Sequence, residues 1–255
     1  GAGNAATAMG LSIGPAFGIF AGGMLMASIG WRPSFLIFGA VSLLWLIPWL
    51  RLPRAAVAPH AVRLLPPSFA QIMRKREAWG ASLAHFCGNY SFYFVLAWLP
   101  LYLVKVHGFA MTDMAAIGGL VYLAQGLSSA LFGWLADRWI AGGASVNRAR
   151  MTMMVAGNLV IVVCLLLPIS GNVWLSVGAL VVFGAFTGMT ASNLFASGQT
   201  LAGPRAGGKW IGFQNFVGNC AGIVAPALTG WLVDRTGGFG SAFVVAAAVS
   251  LSGAL

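Results

Sequence analysis

Apolar residues run along this 255-residue chain in long blocks, and Gly, Pro and charged residues gather in the short breaks between them. Eight blocks stand out, near residues 3–28, 33–50, 79–104, 113–137, 150–169, 173–198, 208–233 and 239–255. Each predicts a helix about long enough to cross a bilayer core of roughly 30 Å. The last block is short and stops with the chain. Trp31, Trp49, Trp79, Trp98, Trp134, Trp139, Trp174, Trp210 and Trp231 fall near block ends, where an interfacial belt places them, and only Trp45 sits further in. The longest polar stretch, residues 51–78, predicts a linker. Its end, Ser68 to Glu77, predicts a short surface helix capped by Ser68, with Phe69, Ile72 and Met73 on the lipid side.

The pattern repeats. Gly218–Leu251 lies on Gly10–Leu43 without a gap: Gly10, Gly14, Gly22 and Gly30 meet Gly218, Gly222, Gly230 and Gly238, and Phe35 meets Phe243. Blocks one and two thus match blocks seven and eight, a period of six helices, as in duplicated membrane units. The expectation is a twelve-helix protein of which this chain is the last eight helices, starting inside an apolar run. Residues 1–50 would be the last two helices of one half, 51–78 the linker between halves, and 79–255 the second six-helix half.

Composition agrees. Hydrophobic residues make up 59% and charged residues 7%, against roughly 25% charged in a soluble domain, and the mean hydropathy is +0.88. The chain reads as an all-α polytopic membrane protein. Its net charge of +10 would suggest nucleic acid in a soluble protein, but here the basic residues fall in alternate loops. Arg51, Arg54, Arg63, Arg74, Lys75, Arg76, Arg138, Arg148, Arg150, Arg205 and Lys209 mark one side, and Arg32, Lys105 and Arg235 the other. The positive-inside rule makes the first side cytoplasmic, with the linker and the chain's end. Cys87, Cys164 and Cys220 lie inside apolar blocks without metal spacing, so neither metal nor cofactor is expected.

Glycines at 10, 14, 18 and 22 share one stripe of the first helix, and Gly218, Gly222, Pro226 and Gly230 share one of the seventh. Small residues let helices approach closely in lipid, and Pro15 and Pro226 permit bending. Gly133-Trp134-Leu135-Ala136-Asp137-Arg138, with Arg148 and Arg150 beyond it, resembles the G-x-L-A-D-R loop signature of the major facilitator superfamily. Gly14-Pro15 with Gly18 and Gly22 resembles that superfamily's fifth-helix signature. The resemblance implies a major facilitator-type helical bundle, incomplete here. It also implies a latch in which Asp137 pairs with an arginine or helix end in one conformation. A solvated surface pair worth about 0–1 kcal/mol is the plainer alternative.

Asn89-Tyr90-Ser91-Phe92-Tyr93 before Trp98-Leu99-Pro100, Gly30-Trp31-Arg32, and Phe216-Val217-Gly218-Asn219 before Ala225-Pro226 together resemble the anion:cation symporter branch. Its members carry sugar acids, aromatic carboxylates and similar organic anions, commonly with protons. Polar residues inside apolar blocks are costly unless they face a cavity or a partner. Asn89, Tyr90, Tyr93, Gln125, Ser192, Asn193, Asn215 and Asn219 are therefore the candidate substrate residues. Helix–helix hydrogen bonding is the alternative role. His85 lies inside the third block near its end, where hydrogen bonding is the simpler expectation than proton relay. None of Glu77, Asp113, Asp137 and Asp234 is central to a block.

The expected function is secondary transport of small organic anions, proton-coupled symport by alternating access, by a monomer in the inner membrane. A proton-driven exporter of amphiphiles is the alternative within transport. An intramembrane enzyme would need a catalytic constellation, and the chain has no HExxH, no paired central acids and no Gly-x-Ser-x-Gly. A transporter-like sensor would bind without moving solute.

Overall fold

A computed structural model of the chain describes residues 2–51 and 67–254. Most of the linker expected at 51–78 lies outside the described residues. Those described form helices and turns, with no strand among them. In chain order the helices are α1 (Ala2–Ile29), α2 (Trp31–Leu43), α3 (Leu46–Arg51), α4 (Phe69–Met73), α5 (Arg76–His107), α6 (Met111–Ala141), α7 (Val146–Leu166), α8 (Val173–Asn219), α9 (Ala221–Thr236) and α10 (Gly240–Ser252). A 3₁₀ turn, Leu167–Ser170, extends α7.

These helices recover the eight blocks. The stretches 31–51, 112–141, 146–170 and 173–236 are long and apolar enough to cross a membrane, and a fifth, 76–107, bends by 50° at the break containing Pro100. Shorter apolar helices at Ile13–Ile29 and Gly240–Ser252 complete the set. The 64 residues of 173–236 would reach about 96 Å if straight, three times a bilayer core. They fold back at Gly203, whose φ of 65° and ψ of 177° only glycine adopts without strain, followed by Pro204. Gly203 thus divides the stretch into two helices, 173–202 and 204–236, each long enough for one crossing.

Helix starts have chemical causes. Ser145 Oγ accepts from Arg148 N–H at 3.2 Å to open α7, and Asn172 Oδ1 accepts from Leu175 N–H at 3.0 Å to open α8. Ser68 caps α4 in a capping box with Gln71. Ile72 departs from expectation: it is 1% exposed, packed on Ala206, Trp210 and Phe213, while Phe69 and Met73 stay exposed. Three residues of a one-turn helix span a wide arc, and Ile72 lies on its protein side.

The main core lies among α5, α7, α8, α9 and α10. Phe94 and Tyr102 of α5 meet Phe243 of α10 edge to face, with centroids 5.0 and 5.2 Å apart. α6 crosses α8 so closely that a Cβ on Gly184 or Gly188 would strike the carbonyl oxygen of Val121 or Gln125. Ser128 Oγ–H reaches the Ala185 carbonyl there at 2.6 Å. α1 packs on α6 through Ala16, Ile19, Phe20 and Gly23, facing Ala115, Gly118 and Gly119. Large apolar side chains also cover the outside: Phe35 is 73%, Leu50 79% and Trp174 81% exposed. Water does not tolerate such a surface on this scale and lipid does.

Candidate functional site

The second glycine stripe is a seat for α5. A Cβ on Gly218 would come within 2.6 Å of the His85 ring, one on Gly222 within 3.2 Å of Tyr93, and one on Gly230 within 3.4 Å of Trp98. Three rings of α5 therefore rest directly on the backbone of α8 and α9. Pro226, in the same stripe, removes one backbone donor from α9. On α1 the matching positions are open: Gly14 and Gly18 have nothing within 4 Å, and Gly22 meets only the Phe38 ring of α2, at 3.5 Å. Pro15 is exposed beside them.

That close seat brings polar groups together. Asn219 is the last residue of α8, and the chain runs on into α9 through Cys220, whose φ of −56° and ψ of −25° are helical. Asn219 Oδ1 accepts from Tyr93 Oη–H at 2.7 Å and from Asn89 Nδ2–H at 3.4 Å. Its Nδ2–H donates back to the Asn215 carbonyl at 2.8 Å. Asn89, Tyr93, Asn215 and Asn219 thus form one network on a partly open face, with spare donors and acceptors.

The other candidates lie elsewhere. Tyr90 is 2% exposed, its hydroxyl turned into the core toward Thr229 of α9. Asn193 is 2% exposed and donates to the Met189 carbonyl at 2.9 Å, and Ser192 donates to the same carbonyl at 3.2 Å. Gln125 is half-buried on α6.

A second constellation ties three helices at one end of the bundle. Arg150 Nη2 stands 3.8 Å from Asp137 Oδ1, and Arg150 Nη1 donates to Thr200 Oγ1 at 3.1 Å, linking α6, α7 and α8. Arg138 lies over the Trp134 ring at 5.2 Å, and Arg148 gives its backbone N–H to the Ser145 cap. Arg150 is thus the arginine within reach of Asp137, whose side chain is 73% exposed. A third feature sets His85, which the sequence placed near the end of its block, beside Gln214, which it did not single out. His85 is 4% exposed, edge-on to Phe195, and Gln214, 0% exposed, lies where a Cβ on Gly198 would collide with it. The signal for Gln214 was Gly198, the small residue that makes room for it.

The model of the Major Facilitator Superfamily matches residues 1–226 and again 122–255. The chain belongs to the major facilitator superfamily. Its long apolar helices make it part of a multi-pass membrane protein of that superfamily. Relatives that it matches at 25% identity include proteins named probable anion transporters of Oryza sativa. It is 26% identical over 96% of its length to the chloroplastic ascorbate transporter of Arabidopsis thaliana, covering 48% of that protein. It is 26% identical over 91% of its length to the hexuronate transporter of Bacillus subtilis, covering 58%. The fold matches a crystal structure of the E. coli fucose:proton symporter with a TM-score of 0.61, at 18% identity, over 88% of this chain and 54% of that one. The chain spans about half the length of the curated relatives it matches.

Proposed function

We propose that this superfamily chain serves secondary transport of small organic anions, sugar acids or related carboxylates, by proton-coupled symport with alternating access. The observation that carries the reading is the network of Asn89, Tyr93 and Asn219 between α5 and the end of α8. Neutral donors and acceptors of that kind suit hydroxyl groups on a solute. No Lys or Arg lies in the middle of an apolar block, so the carboxylate of the solute is matched outside this part of the molecule. The ascorbate and hexuronate transporters among the relatives support an oxygen-rich acid as solute.

Asn215 and Gln125 extend the substrate-facing set, and Tyr90, Ser192 and Asn193 set the helix positions behind it. The tie of Asp137, Arg150 and Thr200 is a conformational gate, with Arg138 and Arg148 flanking it. Gly14, Pro15 and Gly18 serve helix packing, as Gly222 does against Tyr93. The basic loops lie on the cytoplasmic side.

The test is competition uptake in proteoliposomes by the transporter bearing this sequence. Asn219→Ala should change which organic acid is preferred, by about 1–3 kcal/mol in apparent affinity through lost hydrogen bonds, with solute-driven proton uptake intact. Unchanged preference with abolished proton movement would make Asn219 part of the coupling machinery instead.

A further inference from the structure

The basic end of the bundle, where α4, the start of α5 and the bend of α8 meet, carries cations that the transport reading does not use. α4 owes its single turn to the reciprocal bonds of Ser68 and Gln71, at 3.3 and 2.8 Å. Burial of Ile72 against Ala206 and Trp210 then fixes the neighbouring side chains. Lys75 Nζ stands 6.0 Å from the centre of the Trp210 ring. Lys209 Nζ stands 5.8 Å from the centre of the Phe69 ring and donates to the Pro67 carbonyl at 3.0 Å. Lys75, Glu77, Leu201 and Trp210 line an open groove between α5 and the two arms of α8.

Among the described residues, Asp137 and Arg150 form the one ion pair. Lys75, Lys209 and the nearby Arg74, Arg76 and Arg205 therefore have no carboxylate partner. Glu77 is the acid in the groove. It sits in the first turn of α5, at the positive end of that helix. Next to the cations runs an exposed apolar track: Phe69 is 52%, Met73 46%, Trp79 41% and Leu83 53% exposed. Trp79 and Leu83 are four apart, so they share a face of α5 and lead from the groove into the membrane. Trp79 is held in place by its Nε1–H, which donates to the Met73 carbonyl at 2.8 Å.

Unpaired cations above an apolar track match an amphiphile with a negative head and acyl chains. We propose that this groove is a binding site for an anionic phospholipid, with Lys75 and Lys209 on the phosphodiester and Trp79 and Leu83 along an acyl chain. A soluble anion would use the lysines alone and leave the track exposed. Basic pockets at the membrane surface commonly select anionic lipids for this reason.

The experiment is native mass spectrometry of the purified transporter bearing this sequence, offered phosphatidylglycerol and phosphatidylcholine with the same acyl chains. Phosphatidylglycerol should be retained preferentially. Lys75→Gln with Lys209→Gln should cut that preference by about tenfold or more, while Lys105→Gln, at the opposite end, leaves it unchanged. Thermal unfolding in phosphatidylcholine checks that the double variant is folded. If it is not, raised salt on the unaltered protein should weaken the preference, because exposed cations are screened. Equal retention of the two lipids, or a preference that survives both the double substitution and high salt, would overturn the proposal. So would displacement of the lipid by millimolar inorganic phosphate, which would mark a free-anion site.

Discussion

The crossing of α6 and α8 sets the sharpest expectation for stability. Gly188 faces the Gln125 carbonyl, and a Cβ there would overlap that oxygen and come within 2.7 Å of Ser128 Oγ. Backbone cannot swing away as a flexible side chain does, so Gly188→Ala forces the two helices apart. Overpacking of this kind costs about 1–3 kcal/mol. Parting the helices also stretches the bond from Ser128 to the Ala185 carbonyl, worth about 0.6 kcal/mol in membranes. Alanine returns up to about 1 kcal/mol of helix propensity. Gly178 supplies the control: it lies on the same helix, is exposed, and has nothing within 4 Å of its Cβ position. Gly178→Ala gains the same propensity without the clash. The difference between the two variants isolates the packing term, at about 1.6–3.6 kcal/mol. Equilibrium unfolding in mixed detergent micelles reads it. Unfolding of the two variants within about 0.5 kcal/mol of one another would refute the close crossing.

Tyr93→Phe should weaken apparent solute affinity by about 1 kcal/mol, because its hydroxyl bond to Asn219 is lost, whereas Tyr90→Phe should leave affinity unchanged; competition uptake compares them. Asp137→Asn should slow transport while changing stability by no more than about 1 kcal/mol, since the carboxylate is exposed; a normal transport rate would make the pair a surface contact. Cysteines at Ala58 and Ala144 should resist an impermeant thiol reagent outside intact cells, and ready labelling of both would reverse the orientation.

Much of the fold was written in the apolar pattern, because each crossing must be a self-satisfied helix of a set length. Blocks at 33–50 and 150–169 match helical stretches 31–51 and 146–170 within a few residues. Periodicity shows which residues share a face but not what that face meets. Gly14 and Gly18 look in sequence like Gly222 and Gly230, yet the first pair is open and the second carries the rings of α5. Gly184 and Gly188 showed no stripe long enough to stand out, although they make the closest contact with α6. Asn89 and Tyr90 are neighbours in sequence, but a step of about 100° sends one to the polar network and the other into the core. Arg148 and Arg150 were equivalent in sequence; the start of α7 directs Arg150 toward Asp137 and Thr200.

The central claim is transport of oxygen-rich organic acids, and counterflow in sealed proteoliposomes tests it most directly. Vesicles holding the transporter bearing this sequence are loaded with an unlabelled sugar acid and diluted into the labelled acid. The account predicts saturable, transient accumulation of label, suppressed by competing hydroxy acids and reduced in Asn219→Ala. Absence of counterflow for every acid, together with proton-driven movement of an amphiphilic cation, would contradict it.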